Sequence, residues 1–309
     1  MATSLITVIA TAGRAELLGR TLASLAECRL PDIYRETIVV ENGPKCGAEE
    51  VVRQSDSVLR ARYVYQAEPN KSRALNAVLD EVGDCLVFMT DDDIRFAPAT
   101  LQAYARAAEG IDSGCVFGGP LEVDYESEPP EWLKPHLPPS AVGWPSEEEP
   151  EGNDRLIFRG GNWAAFAQNL RNAGGFNPEK GPLAPVGGTG EETEMQRLLH
   201  KQGVPSVYVP EARVWHYVPL QRCSARWAMK RIYQNAVAYG FDNPDHATRL
   251  LGFPRWMLPQ WLKKGVRYAV TRVNRNERAR FEAGREFWSF TGVMMGARAA
   301  REQIRGKNT

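Results

Sequence analysis

Residues 85–93 have the sequence Cys-Leu-Val-Phe-Met-Thr-Asp-Asp-Asp, an apolar run that ends directly in three carboxylates. A continuous apolar run of this length predicts a strand that is buried on both faces, as strands of parallel sheets are. Three further strand candidates precede it, with patterns typical of amphipathic helices between them: Leu5–Ala10, Thr37–Glu41 and Arg62–Gln66. This alternation predicts an α/β fold in which helices flank a mostly parallel central sheet.

Polar side chains stand where these strand candidates end. Thr11 and Glu41 close the first two strands, and Asp91, Asp92 and Asp93 close the fourth. Ligands of parallel α/β sheets bind at the carboxyl ends of the strands, so we expect these side chains to line a ligand site. Three adjacent carboxylates repel one another in a partly dry cleft, and a hard divalent cation removes that repulsion. The triplet therefore predicts a Mg²⁺ or Mn²⁺ site, with a solvated turn as the alternative.

Glu191 and Glu192 follow a glycine-rich turn and open a predicted helix. One interpretation is structural, because Thr189 as N-cap with Glu192 three residues later forms a capping box. The other is catalytic, with Glu192 as a general base whose pKa is raised by neighbouring carboxylates. The residues alone leave both interpretations open.

Two further polar residues have less specific settings. His216 ends a strand-like run, where a lone histidine is more often packed or on the surface than a metal ligand. Arg73 lies at the start of a predicted helix, where its guanidinium fork could contact a phosphate or a base edge. A surface arginine is the commoner outcome at such a position.

The composition excludes several classes of protein. Of 309 residues, 43% are apolar and 25% are charged, which excludes disordered, collagen-like and disulfide-dependent miniature proteins. The five cysteines are scattered without CxxC spacing, which favours reduced thiols and a cytoplasmic location. No run approaches the roughly 18 consecutive apolar residues of a membrane-spanning helix. The first residues, Met-Ala-Thr-Ser, lack a basic segment, so we expect no cleaved signal peptide.

Charge is distributed unequally along the chain. Residues 220–309 hold 18 Lys and Arg against 6 Asp and Glu, a net charge of about +12, and residues 1–219 balance it at about −12. This asymmetry predicts two parts with different tasks. We expect a catalytic domain at 1–219, with a nucleotide half at about 1–120 and an acceptor half at about 121–219. A helical basic region at 220–309 follows it.

The basic region contains a pattern typical of helices that lie in a membrane interface. An anionic surface attracts such bases, so we expect peripheral contact at the inner face of the cell membrane. The alternative is that the apolar face packs on the catalytic domain or on a second subunit of an oligomer. No nucleic-acid recognition motif accompanies the bases, and no nucleic-acid partner is expected. The pattern interleaves Trp256, Trp261, Leu262 and Tyr268 with Lys263, Lys264 and Arg267.

Eight short motifs follow one another along about residues 3–240. They are Thr7–Thr11, Ile38–Gly43, Ser72–Asn76, Val87–Asp93, Arg159–Asn162, Gly174–Asn177, Gly188–Glu194 and Val214–His216. In order and interval they resemble the motifs of the inverting family 2 glycosyltransferases, which have the GT-A fold. The resemblance implies that a sugar is transferred with inversion from a nucleotide-diphosphate sugar, UDP-sugars being favoured. The implied acceptor is a hydroxyl of a glycan or lipid-linked molecule in polysaccharide or glycoconjugate biosynthesis.

The resemblance also implies which residues bind the donor. Thr11, Glu41 and Arg73 match positions that line the nucleoside pocket, although the family usually has Asp where this chain has Glu41. Asp91 and Asp92 match the acids of the DxD motif that approach the ribose and the diphosphate.

A second group of matches implies the chemistry of the transfer. Asp93 and His216 match ligands of the metal, Mg²⁺ or Mn²⁺. Glu192 matches the acid that acts as base, and Glu191 is the alternative because the motif is Glu-Glu in this chain. Asn162 and Trp163 match a segment that faces the donor sugar or the acceptor.

Two other functions compete with sugar transfer. A sugar-1-phosphate nucleotidyltransferase would share the α/β sheet and the metal-binding acids. That class usually begins with a glycine-rich basic loop after the first strand, and residues 11–14, Thr-Ala-Gly-Arg, match such a loop poorly. A non-catalytic nucleotide-binding scaffold held at a membrane is the other alternative, and the intact acids, His216 and Glu192 disfavour it.

Overall fold

The computed structural model describes residues 4–111, 113–144, 154–179, 190–243, 249–250, 252–273 and 276–307. The chain forms two compact units. The first unit comprises Met1–Asp124 and Gly143–Tyr217, and the second comprises Tyr125–Val142 and Val218–Thr309.

The strands within the described residues are as follows. They are β1 (Ser4–Thr11), β2 (Tyr34–Asn42), β3 (Arg62–Gln66), β4 (Cys85–Asp91), β5 (Ile94–Phe96), β6 (Val116–Gly118), β7 (Leu121–Tyr125), β8 (Trp163–Phe166), β9 (Ser206–Tyr208), β10 (Val214–Val218), β11 (Arg249–Leu250) and β12 (Phe253–Pro254).

The α-helices alternate with these strands in the first unit and dominate the second. They are α1 (Ala15–Ala26), α2 (Ala48–Gln54), α3 (Lys71–Glu81), α4 (Thr100–Ala107), α5 (Ala167–Asn172), α6 (Glu191–Lys201), α7 (Ala225–Asp242), α8 (Met257–Thr271) and α9 (Glu277–Lys307).

A seven-stranded sheet in the order β3-β2-β1-β4-β8-β6-β9 forms the centre of the first unit. Strands β3, β2, β1 and β4 are parallel to one another, so the α/β fold with a mostly parallel sheet is confirmed. Strand β8 runs antiparallel to both β4 and β6. The parallel half aligns the carboxyl ends of β1, β2 and β4 at one edge of the sheet.

The side chains of each central strand alternate between two apolar cores, one on each face of the sheet. On β1, Leu5 and Ile9 pack in the core that contains the buried stripe of α1, whereas Ile6 and Val8 pack in the core that contains α3. Burial on both faces is the reason that these strands are continuously apolar in sequence.

A smaller sheet has the strand order β5-β10-β7, and its first strand follows the acid triplet in sequence. β5 begins directly after Asp93, and β10 pairs with it in antiparallel register, with His216 opposite Ile94. A hydrogen bond of 2.8 Å from the N–H of Tyr217 to the carbonyl of Asp93 extends this pairing. Strand pairing therefore brings Asp93 and His216, which are 123 positions apart in sequence, close together in space.

The second unit is helical, as expected for the basic region. Helices α7 and α9 approach closely at glycines, since a Cβ at Gly240 or Gly296 would overlap the backbone of the other helix. Helix α8 packs on α9 through stacked rings of Tyr268 and Phe287, whose centroids are 5.7 Å apart. Among the described residues, no helix combines the length and apolar character that crossing a membrane requires.

Candidate active site

Thr11 and Asp92 meet at the carboxyl ends of the adjacent strands β1 and β4. Thr11 Oγ1 donates a hydrogen bond of 2.6 Å to Asp92 Oδ2, and Asp92 is fully buried. Burial raises the pKa of Asp92 to about 6, although the charge of Arg14 and the hydrogen bond from Thr11 oppose the rise. The strand ends thus form one polar cluster, as the sequence predicts.

Arg14 lies just after β1 and contacts two of the three aspartates. Its Nη1 donates to Asp93 Oδ2 at 2.6 Å and its Nε to Asp92 Oδ2 at 3.2 Å, and its Nη2 forms an ion pair with Asp92 Oδ1. Burial alone would lower the pKa of Arg14, but the charges of Asp92, Asp93 and Asp91 raise it. The sequence pattern does not single out Arg14, and its only signal is its position three residues after the end of a strand.

Asp93 and His216 lie together in the smaller sheet. His216 Nε2 is 3.4 Å from Asp93 Oδ1, and both side chains are buried. This separation is within the roughly 5 Å that two ligands of one metal can span, given donor distances of about 2.0–2.2 Å. The carboxylate oxygen suits Mg²⁺ or Mn²⁺, and the imidazole nitrogen favours a transition metal such as Mn²⁺ over Mg²⁺.

No third protein ligand joins this pair in the described part of the chain, where no group of three His, Cys, Asp or Glu side chains could hold a metal ion. Mg²⁺ and related ions are commonly held by one or two carboxylates together with substrate phosphates and water. Asp93 and His216 therefore fit a metal that is bound jointly with a phosphorylated donor.

Lys71, the first residue of α3, connects the aspartates with α6. Its Nζ donates a hydrogen bond of 2.6 Å to Asp91 Oδ1 and one of 2.9 Å to Glu192 Oε1, and it lies 3.7 Å from Glu191 Oε1. Burial alone would lower the pKa of Lys71, but the charges of Asp91, Glu192 and Glu191 raise it well above its usual value. Lys71 carries no functional signal in the sequence, because its contact with Glu192 spans 121 positions and leaves no trace in local spacing.

Glu192 is partly buried at the start of α6, with its side chain 14% exposed. Burial raises the pKa of Glu192 to about 7, while Lys71 opposes the rise and the charges of Asp91 and Glu191 add to it. The structure does not support the capping box: Gly190 is the N-cap, and the Glu192 carboxylate bonds to Lys71. Thr189, the other half of that pattern, lies outside the described residues. Glu191 accepts a hydrogen bond of 3.0 Å from the N–H of Gly190.

The Glu192 carboxylate occupies space that is open only because residue 160 is a glycine without a Cβ. A Cβ at Gly160 would overlap Glu192 Oε2, the far end of a flexible side chain. We expect Gly160→Ala to fold normally and to displace this carboxylate, lowering turnover by about 10- to 100-fold, since a misplacement of about 1 Å can cost that much. Gly83→Ala is the matched control, because no atom lies within 4 Å of the added Cβ. Steady-state rates and thermal melts of both variants test this expectation, and equal rates would contradict it.

Glu41 and Arg73 differ in their surroundings. Both Glu41 oxygens accept hydrogen bonds of 2.6 Å, one from the N–H of Cys46 and one from the Tyr63 hydroxyl. The buried Glu41 carboxylate therefore anchors the loop that follows β2. Arg73 is half-exposed on α3, and its Nε lies 3.1 Å from Glu68 Oε1.

Asn162 and Trp163 are both buried in the first unit. The Asn162 amide is fully buried, where it accepts a hydrogen bond from Tyr104 and donates to the carbonyls of Pro120 and Ala212, each at 2.8 Å. Trp163 is fully buried in an apolar core. Both side chains are buried and hold the fold together, and the contact of this segment with donor or acceptor stays a prediction.

Comparison with known proteins identifies related sequences and folds. A family model described as "Glycosyltransferase like family 2" matches residues 3–232. The succinoglycan biosynthesis protein ExoM of Rhizobium meliloti (strain 1021) is 27% identical over 228 residues, which cover 72% of this chain and 70% of ExoM.

Two solved structures share the fold, and their likeness confirms the GT-A architecture. The mannosyltransferase PcManGT from Pyrobaculum calidifontis, in complex with GDP-Man and Mn²⁺, has a TM-score of 0.54 and 17% identity over all of this chain and 80% of its own. GalNAc-T7 with UDP, GalNAc and Mn²⁺ has a TM-score of 0.53 and 13% identity. That match covers 78% of this chain and about half, 51%, of GalNAc-T7.

Proposed function

Because this chain belongs to the glycosyltransferase-like family 2, we propose that it transfers a sugar from a nucleotide-diphosphate sugar to an acceptor hydroxyl, with inversion and with the help of a divalent metal ion. The observation that carries the proposal is the pair of contacts made by Lys71, which hold Glu192 and Asp91 around one ammonium group. These contacts support the proposal because the proposed base, Glu192, and one of the proposed donor-binding acids, Asp91, share the Lys71 ammonium. Family membership favours transfer over the nucleotidyltransferase alternative.

The proposed metal ligands are Asp93 and His216, which would hold Mg²⁺ or Mn²⁺ together with the donor diphosphate. A bound ion would supply positive charge to the diphosphate and so make it a better leaving group. The PcManGT and GalNAc-T7 structures both contain Mn²⁺ with a nucleotide or nucleotide sugar, which supports this choice of metal and donor class.

Glu192 is the proposed general base. It would accept the proton of the acceptor hydroxyl while that oxygen attacks the anomeric carbon from the face opposite the leaving diphosphate. One base is enough for a single inverting displacement, which needs no covalent enzyme nucleophile. A pKa of about 7 suits this task, because about half of such carboxylates are ionised at neutral pH and each still has useful proton affinity. Glu191 is the alternative base.

The proposed donor site consists of Thr11, Glu41, Arg73, Asp91 and Asp92 at the carboxyl edge of the large sheet. A screen of nucleotide sugars for release of free nucleotide in the presence of Mn²⁺ tests the proposal. We expect one donor class, with UDP-sugars favoured, to release nucleotide well above the rate seen without protein. No release from any UDP-, GDP- or dTDP-sugar with Mn²⁺ or Mg²⁺ would contradict it. Similarity to a succinoglycan biosynthesis protein supports a polysaccharide intermediate, glycan or lipid-linked, as acceptor.

We propose that the protein is cytoplasmic and binds the inner face of the cell membrane peripherally. Helix α8 supports the membrane contact. Leu262, Val266 and Val270 form a stripe one turn apart and are 61%, 57% and 63% exposed. The basic residues Lys263 and Arg272 are exposed beside it. An amphipathic helix with exposed aliphatic residues and neighbouring bases suits an anionic lipid interface.

We expect the full chain to sediment with anionic vesicles at low salt and to be released at high salt, because each base near such a surface adds on the order of 1 kcal/mol. Replacing Leu262, Val266 and Val270 together by Ser should abolish most of this binding. Val58→Ser removes an exposed aliphatic residue from the first unit and is the control. Absence of wild-type binding to anionic vesicles at low salt would reject the membrane proposal. Self-association lost in the triple variant would point to a second copy of the chain instead.

A further inference from the structure

Arg14 covers the two innermost aspartates of the candidate active site. Asp92 is fully buried and Asp93 is 5% exposed, whereas the Arg14 side chain is 36% exposed. We propose that Arg14 is an exchangeable counter-ion: in the donor-free protein it neutralises Asp92 and Asp93 and competes with a divalent cation, and on donor binding its guanidinium moves to the diphosphate. This inference rests on the metal site of the proposed function.

The competition follows from the distances around Asp93. Arg14 Nη1 is 2.6 Å from Asp93 Oδ2, and His216 Nε2 is 3.4 Å from Asp93 Oδ1. A cation held by Asp93 and His216 would therefore share one carboxylate with a guanidinium. Two positive charges a few ångströms apart in a partly dry site repel each other strongly. The guanidinium and the metal cannot both bind Asp93 at full strength.

The exchange follows from the chemistry of the guanidinium. Arginine presents five N–H donors in a planar fork that matches a phosphate as well as a carboxylate. Arg14 uses this fork on Asp92 and Asp93, and its partial exposure leaves it in reach of a ligand arriving from solvent. A diphosphate therefore offers Arg14 an equivalent partner and leaves Asp93 to the metal.

Such an exchange couples two binding events. The donor would raise the affinity for the metal because it removes a competing cation, and by linkage the metal would raise the affinity for the donor by the same factor. Arg14 is thus a positioning residue whose effect appears in metal binding before any chemistry takes place.

The test measures the dissociation constant of Mn²⁺ from the full chain, using the paramagnetic resonance signal of free Mn²⁺. Wild type, Arg14→Met, Arg14→Lys and Arg29→Met are compared without nucleotide and with UDP or GDP. Arg29 is exposed after α1, so its substitution matches the change of charge. Without nucleotide, we expect Arg14→Met to bind Mn²⁺ about tenfold more tightly than wild type, within the roughly 5- to 150-fold range of coupling between ligands. Arg29→Met should bind as wild type does.

Arg14→Lys keeps the charge but lacks the fork, so its nucleotide-free affinity should lie between those of wild type and Arg14→Met. This variant decides the question if Arg14→Met fails a thermal-melt test of folding. Equal or weaker Mn²⁺ binding without nucleotide in the folded Arg14 variants would overturn the counter-ion inference and leave the metal site standing. Absence of Mn²⁺ binding in wild type and variants, with either nucleotide, would instead remove the metal site itself.

Discussion

Glu192→Gln should lower the turnover number by about 100-fold or more, because the amide has the shape of the carboxylate but cannot accept the acceptor's proton. Binding of the donor should remain nearly unchanged, since the proposed role of Glu192 concerns the acceptor. Steady-state rates with the donor found by the nucleotide screen, together with donor titrations, measure both quantities. A structural role would leave most of the activity intact.

Three companion variants make this result specific. Glu194→Gln changes an acid in the same first turn of α6 that contacts Asn177 at 3.3 Å, and it should keep near wild-type turnover. Glu191→Gln identifies the alternative base, because a large loss there with activity retained in Glu192→Gln would transfer the role. Lys71→Met tests whether the Lys71 ammonium sets the pKa of Glu192.

The ionisation of Glu192 fixes the direction in which the turnover number changes with pH. Glu192 must be ionised to act as base, so turnover should rise with pH through about 7 and level off above it. Because Lys71 lowers the pKa of Glu192, Lys71→Met should move this rising limb upward by about 1–3 pH units. Lys201→Met, at the exposed end of the same helix, should leave the limb in place. A downward shift in Lys71→Met would contradict the assignment.

Asp93→Asn should weaken Mn²⁺ binding in the presence of nucleotide by more than about 100-fold, because removing even an outer partner of a metal ligand costs roughly 10- to 100-fold. The neutral amide offers the cation one weak oxygen in place of a charged carboxylate. Turnover should fall in parallel, and excess Mn²⁺ should restore part of it. Metal titrations and rates at two Mn²⁺ concentrations measure these effects.

Asp80→Asn provides the matched control for this substitution, because Asp80 is exposed on α3 and should not affect the metal. His216→Asn should weaken Mn²⁺ in the same direction, since His216 lies 3.4 Å from Asp93. Unchanged Mn²⁺ affinity in both Asp93→Asn and His216→Asn would show that the metal, if one acts here, binds elsewhere.

The sheet and the position of its acids were predictable from the sequence. Strands buried on both faces need continuous apolar runs, and the strand predicted at Cys85–Thr90 is β4, which ends at Asp91 and is followed by Asp92 and Asp93. The nearness of Thr11 to Asp92 follows from the same reasoning, because parallel neighbours end at one edge. The placement of Asp93 near His216 was implied by resemblance to the family and could not be derived from spacing.

Other features of the site were not predictable, and Lys71 and Arg14 are the clearest cases. Their contacts with Glu192 and Asp93 span 121 and 79 positions, and a single basic residue at the start of a helix or after a strand is commonly on the surface. The surroundings of Asn162 were not predictable either, because its three buried hydrogen bonds join it to Tyr104, Pro120 and Ala212, which are distant in the chain.

The sequence by itself determined the α/β class, the edge of the sheet where the acids stand, and the helical character of the basic region, because these depend on local periodicity. Only the tertiary structure decided which cation faces which carboxylate and that Glu192 bonds to Lys71 instead of capping its own helix. It also decided that the Leu262–Val266–Val270 stripe is exposed. The physical reason is that burial and electrostatic partnership are properties of the surroundings in space, and residues distant in the chain supply those surroundings.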